Sequence, residues 1–198
     1  MRDEDQAIVK AALAGNPKAF TEIVHRYQER LYNFGLRMCK NRQDAEDLIQ
    51  DTFINAFRSL SGFKGKAKFK NWIYTIAANA CLKKKRAIRN APENEVNLEE
   101  WHQQTMEQGH HSTVKMPAWA DAPLDSLLNE ELSAKIRKSI EKLPTKYRLV
   151  LLLRDVEGFS TDETAEMLHL STANVKVRLH RARFYLRDHL KGYFEDDR

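Results

Sequence analysis

Residues 160–184, STDETAEMLHLSTANVKVRLHRARF, decide how this chain is read. Ser160 and Glu163 have the capping-box spacing that starts a helix, and Ala165, Met167 and Leu168 give that helix an apolar side. His169, Leu170 and Ser171 make a turn. In the helix that follows, Val175, Leu179, Ala182 and Leu186 share one inward face. No acidic residue occurs from Thr172 to Arg187, and the other side carries Lys176, His180, Arg183 and Arg187, flanked by Asn174, Arg178 and Arg181. Helix, turn and cationic helix together read as a helix-turn-helix whose second helix suits a major groove. A basic face alone is usually a solvated face. The capped helix and the turn in front of it are what single this one out. His169 stands where such turns often have glycine, which predicts a non-glycine residue at positive φ and a slightly altered turn.

Outward from this motif, 198 residues with 42% hydrophobic content suffice for two small domains, each with its own core. No run approaches the roughly eighteen apolar residues of a membrane span. The opening MRDEDQAI lacks the apolar core of a secretory signal, so a cytoplasmic protein with no direct membrane insertion is expected. Cys39 and Cys81 each fall inside a helical pattern, which fits reduced, buried thiols better than a disulfide or a metal site. The net charge of +5 hides a strong segregation. Residues 1–58 are balanced at nine basic and nine acidic, whereas residues 59–92 hold nine basic and no acidic ones. Residues 93–131 invert this, with nine acids and Lys115 as the sole base, and residues 132–198 return to fourteen bases against ten acids. Basic modules joined by an acidic strap imply a polyanion partner at both ends.

Upstream, Asn16 and Pro17 read as N-cap and first-turn proline of a helix striped by Phe20, Ile23, Val24, Tyr27, Leu31, Phe34 and Met38. A second helix begins at Asp44, with Ala45, Leu48, Ile49, Thr52, Phe53, Ala56 and Phe57 packed on the first and Glu46, Asp47, Gln50, Asp51 and Asn55 outward. Ser61 and Gly62 break it, FKGKAKFK at 63–70 is a basic loop, and helix resumes near Asn71. That helix mixes aromatics with cations as nucleic-acid surfaces do. Trp72 is read as core. After Pro92 the periodicity fades, which makes 92–125 an extended acidic linker. Leu127, Leu128, Leu132, Ile136 and Ile140 then form a stripe that ends at Leu143-Pro144, and Tyr147–Val156 is a short apolar helix stopped by Gly158. Nothing alternates with period two. The expected fold is all-α, with two small helical domains, 1–91 and 126–198, joined by that linker.

Four of these segments, DAEDLIQDTF (44–53), FKGKAKFKNWIYTIAAN (63–79), LPTKYRLVLLLR (143–154) and VKVRLHRAR (175–183), occur in an order and spacing that resemble the extracytoplasmic-function sigma factors of bacterial RNA polymerase. The resemblance covers nearly the whole chain. It implies a subunit that directs promoter-specific transcription initiation, with sigma region 2 at 1–91 and sigma region 4 at 126–198. By resemblance, Asp47, Gln50 and Asp51 bind core polymerase at the clamp coiled coil of its largest subunit. The basic loop and the helix after it open the promoter −10 element and capture an extruded base, a step that costs a few kcal/mol of unstacking. Phe63 and Tyr74 would stack on DNA bases there, Asn79 would bond a base edge, and Lys64, Lys66 and Lys68 would hold phosphates. Asn174, Lys176, Arg178, His180, Arg181 and Arg183 would contact the −35 element, with Arg181 or Lys176 reading guanine and Arg178 and Arg183 gripping phosphate. The polymerase flap, promoter DNA and an anti-sigma factor are the partners implied. Two positions beside the −10 contacts, Thr75 and Lys83, depart from the residues many relatives carry.

Two other readings compete. A stand-alone helix-turn-helix regulator explains residues 160–187 but leaves the acid-free segment 59–92 without a purpose. A metal-dependent hydrolase would have to use His102, His110 and His111, whose spacing fits no i, i+4 pair on a helix. No nucleophile-base constellation or phosphate-binding glycine loop is present. Neither a cofactor nor a metal is therefore expected, and catalysis falls to the polymerase.

Overall fold

The computed structural model describes residues 5–39, 41–87, 96–107 and 130–195. Among them every regular element is helical. The helices form two bodies, an N-terminal one of α1 (Gln6–Leu13), α2 (Pro17–Met38), α3 (Arg42–Ser59) and α4 (Phe69–Ala87), and a C-terminal one. The latter is built around α5 (Leu98–Glu107), α6 (Glu130–Lys142), α7 (Thr145–Leu151) and α9 (Thr172–Glu195), with α8 (Thr161–Leu168) leading into α9 through a short turn. Of the expected linker and stripe residues, His110, His111, Leu127 and Leu128 lie outside the described residues.

In the N-terminal body, α2 lies between α1 and α3, and α3 packs on α4. The Asn16 side chain accepts the Lys18 amide at 3.0 Å, so α2 starts at Pro17 as its sequence dictates. The start of α3 differs from the expectation by two residues. Asn41, not Asp44, is the N-cap: its side chain accepts the Asp44 amide at 2.7 Å and donates to the Asp44 carboxylate at 2.9 Å. Ile23, Tyr27, Leu31 and Phe34 of α2 meet Ala45, Leu48 and Ala56 of α3 and Phe69, Ile73, Tyr74, Ala77 and Ala78 of α4 in one core. Each large side chain withdrawn this way contributes about 1.5–3 kcal/mol. Helix α1 is an addition to the sequence reading. It buries only Ile8 and Val9, and Asp5 ahead of it is held by the Tyr27 hydroxyl and by Arg26 at 2.8 Å.

In the C-terminal body, α9 is the axis on which α5, α6 and α7 pack. Ile136, Ile140, Leu143, Tyr147, Val150, Leu152 and Leu153 close against Val175, Leu179, Ala182, Leu186 and Leu190. Arg148 is 1% exposed in this core, where its guanidinium donates to the carbonyls of Glu141 at 2.5 Å and Leu143 at 2.8 Å. It thereby caps the end of α6, whose last carbonyls have no partner within the helix. Helix α7 continues into a π-helical turn, Leu152–Val156, and Gly158 at φ +74° ends it.

The acidic strap is not wholly extended. Leu98–Glu107 is a helix that rests on the C-terminal body, with Leu98 completely buried and Thr105 at 8% exposure. Leu98, Trp101 and Thr105 share one side, and Glu99 and Glu100 sit in the first turn, where the helix dipole favours acids. Three inward residues among glutamines and acids make too thin a stripe to register as periodicity.

Candidate nucleic-acid interface

The helix-turn-helix is built as its sequence prescribes. The Glu163 amide donates to Ser160 Oγ at 3.0 Å, and the Ser160 amide donates to Glu163 Oε2 at 2.8 Å, which completes the capping box. His169 takes φ +53°, the one positive value at a non-glycine residue among those described. Ser171 Oγ then accepts the Asn174 amide at 3.2 Å and starts α9. Val175, Leu179, Ala182 and Leu186 are buried, while Asn174, Lys176 and His180 are exposed and Arg178 is half-buried. Val177, which sequence reasoning passed over, is 48% exposed on the same stretch. An exposed β-branched methyl pair there suits contact with a thymine methyl.

The other two cations of the expected set are already engaged. Arg183 makes a bidentate pair with Asp155, Nε to Oδ2 at 2.8 Å and Nη2 to Oδ1 at 2.6 Å, and the Asp155 side chain is only 13% exposed. The guanidinium therefore ties α9 to the π-helical turn. That geometry argues against the phosphate grip expected from sequence. Arg181 donates to Tyr147 Oη at 3.4 Å and lies 4.0 Å from Glu99 Oε1. Glu99 also accepts from Lys146 at 2.8 Å and from the Tyr147 hydroxyl at 2.6 Å. Burial opposes its charge, but these bonds win and bring its pKa down to about 2. The opposite balance acts on Tyr147, whose pKa burial and Glu99 both raise.

In the N-terminal body, Lys64, Lys66 and Lys68 are exposed on the loop between α3 and α4, which Gly65 turns at φ +67°. A cavity of 560 Å³ opens there, lined by Phe63, Lys64 and Lys66 from the loop and by Gln6, Val9 and Lys10 from α1. Phe63 is half-buried, 5.5 Å from Phe69 and 5.2 Å from Trp72 between ring centroids. Asn79 is exposed. Tyr74 corrects the sequence reading. It is fully buried against Phe34, with ring centroids 5.4 Å apart, because positions 74, 77, 78 and 81 form the inward stripe of α4. Trp72, read as core, is half-buried and shares its helical side with Ile76 and Asn79. Of the two aromatics, Tyr74 is the one enclosed by the core and Trp72 the one left partly open.

On α3, Asp47, Gln50 and Asp51 are exposed on one side. Asp47 accepts from Gln43 at 3.2 Å and lies 3.6 Å from Lys84, which pairs with Asp44 at 2.5 Å and holds that carboxyl below its usual range. Two apolar residues continue the surface, Ile54 at 46% exposure and Phe57 at 63%. Phe57 was expected inside. Its ring makes an edge contact with the half-buried Phe20, with centroids 5.0 Å apart. Among the described residues no group of His, Cys, Asp and Glu has metal-binding geometry, and His102 is instead occupied by ring contacts.

Comparison with known proteins places these surfaces in context. Residues 23–90 match sigma-70 region 2 and residues 133–183 match sigma-70 region 4. The chain is 30% identical to the RNA polymerase sigma-H factor of Pseudomonas aeruginosa over 92% of its own length and 91% of that protein's. It is 32% identical to the ECF RNA polymerase sigma factor SigW of Bacillus subtilis over 92% and 95%, respectively. The sigma-E factor of Escherichia coli is 32% identical over 90% of each chain. Among solved structures, CnrH in complex with the cytosolic domain of CnrY gives a TM-score of 0.64 at 24% identity, covering 95% of this chain and 97% of that one. The sigma factor RpoE with the anti-sigma factor NepR from Bartonella quintana gives 0.60 at 22%, covering 88% and 98%. At that identity the two structures establish the fold.

Proposed function

From the premise that this chain belongs to the extracytoplasmic-function sigma factors of RNA polymerase, we propose how its surfaces divide the work of initiation. The protein is an alternative sigma factor that binds core polymerase and directs promoter-specific transcription initiation. In our reading, the exposed side of α3, Asp47, Gln50 and Asp51 extended by Ile54 and Phe57, docks on the clamp of the largest subunit. Acids rim the surface and the two apolar side chains supply the desolvated centre that such contacts need. Lys64, Lys66 and Lys68 hold phosphates of the −10 region. An extruded base stacks at Phe63 and Trp72, with Asn79 on its edge, and Tyr74 supports the helix from beneath. Stacking of this kind is worth about 1–3 kcal/mol per base.

The −35 element is read by Asn174, Lys176, Val177 and Arg178, with His180 and Arg181 at the far end of the same surface. The observation that carries the assignment is the pairing of a capped α8 and a left-handed His169 turn with an acid-free, exposed start of α9. A stand-alone regulator would need that motif but not the region 2 match. Chemistry then belongs to the polymerase, the protein works in the cytoplasm, and an anti-sigma factor binds it, as NepR binds the RpoE it was solved with. The test is transcription with purified core polymerase and a library of promoter fragments. Discrete starts that share paired upstream elements support the reading. Absence of core binding, with specific duplex binding retained, overturns it in favour of a regulator that acts alone.

A further inference from the structure

We propose that α5 is a built-in cover for the far end of the duplex-reading surface, docked on α9 in the unbound protein and displaced when DNA binds. The proposal rests on α9 reading duplex DNA. It starts from a complementarity of charge: α5 is acidic, carrying Glu99, Glu100 and Glu107 and no Lys or Arg, and it lies on α9, which holds no acid from Thr172 to Arg187. Its anchor is aromatic. Trp101 sits among Phe184 at 5.4 Å, Tyr185 at 5.0 Å and His189 at 6.1 Å between ring centroids, and Leu98 is fully buried.

From that anchor α5 reaches the cations. Glu99 accepts from Lys146 at 2.8 Å and from Tyr147 at 2.6 Å and approaches Arg181 at 4.0 Å. One turn on, His102 lies 6.2 Å from the His180 ring and 5.4 Å from Phe184. A carboxylate in this position does what a DNA phosphate would do, since both are anionic acceptors for the same donors. Residues 98–107 lie between the segments that match regions 2 and 4, so the cover belongs to neither. The contact is local because charge is screened over roughly 8 Å at physiological salt, so Asn174, Lys176 and Val177 stay open for first encounter.

The test uses the full chain and a short random-sequence duplex at fixed salt, read by fluorescence anisotropy, with hydrogen exchange following the amides of α5. Glu99→Gln keeps the aromatic anchor and removes the charge, whereas Trp101→Ala removes the anchor. Both are expected to tighten duplex binding about two- to fivefold, the range set by a partly exposed ion pair. Exchange of α5 should rise when duplex is added to the unaltered protein. Lys176→Ala is the control for the premise: it should weaken binding, and if it does not, the reading of α9 itself fails. Weakened binding in Lys176→Ala with no gain in Glu99→Gln, and α5 amides that stay protected on saturating duplex, would reduce α5 to a structural brace and overturn the cover alone.

Discussion

The two bodies present their cations in opposite ways. In the N-terminal body, Lys64, Lys66 and Lys68 stand exposed on a loop, and no acid lies within the segment that carries them. In the C-terminal body, three of the five basic side chains expected to meet DNA are held by the protein itself. Arg183 is bound to Asp155, Arg181 is shared between Tyr147 and Glu99, and His180 stacks on Phe184. A cation in a bidentate pair is a structural part, one beside the acid of the proposed cover is a switchable part, and one exposed on a loop is open to an anion from outside. Side-chain type does not separate these three. What lies within a few ångström does.

If the bodies fold on separate cores, a lesion in one should leave the other intact. Arg148→Met removes the donor that satisfies the Glu141 and Leu143 carbonyls and should cost the C-terminal body about 2–4 kcal/mol. Thermal unfolding should then split, with the N-terminal transition in place and the C-terminal one lowered. A single transition that moves as a whole would show that the bodies are energetically one. The next effect in size concerns the docking surface. Ile54→Ala combined with Phe57→Ala should weaken core polymerase binding by about 1–3 kcal/mol, the scale of an interface centre, and leave duplex binding by the free chain unchanged. Equal loss of both activities would mean that α3 had been destabilised.

Much of this was legible in the sequence, and the failures share a cause. The helix-turn-helix, its capping box, the strained His169 and the capped start of α2 came through because each depends on neighbours within four residues. That Asp47, Gln50 and Asp51 share an exposed side was readable because helical periodicity fixes it, whereas their role in docking comes from the resemblance alone. The burial of Tyr74 in place of Trp72, the capture of Arg183 by Asp155 and the helix hidden in the acidic strap depend on partners 28 to 48 residues away or on a third packing element. Periodicity sorts a helix into faces. It does not say which face a distant helix will claim when two are apolar, as on α4.

A finer comparison sets an arginine already paired within the protein against an open lysine. Lys176→Ala should lower duplex affinity by about 1 kcal/mol and reduce the salt slope by about one, because a lysine charge brought to the duplex releases about one counterion even when its head reaches a base edge. Arg183→Ala should instead leave the salt slope alone and lower the unfolding temperature of the C-terminal body, since its pair with Asp155 is worth about 1 kcal/mol after allowance for its one-third exposure. If both variants shift the slope equally, Arg183 leaves Asp155 for phosphate on binding.

The smallest expected effect sharpens the account of α5. His102 has a lowered pKa, through burial first and then through Arg181 and His180. The groups that face it are His180, Arg181 and the Phe184 ring on α9, with Glu99 on its own helix. A lowered value means that undocked α5 binds the proton more readily than docked α5. The docked state is thus at full strength above the ordinary histidine range and weakens as pH falls through about 6.5. Glu99 does not contribute in that window, because its own effect is lost only between its ordinary 4.5 and about 2. Exchange of the α5 amides, corrected for intrinsic rates, should therefore rise by less than about threefold between about pH 7.5 and 5.5. His102→Asn should flatten that profile while Glu99→Gln should shift it bodily upward. A profile that keeps its slope in His102→Asn would move the proton to another group at the contact and leave Trp101 and Glu99 as the whole of the latch.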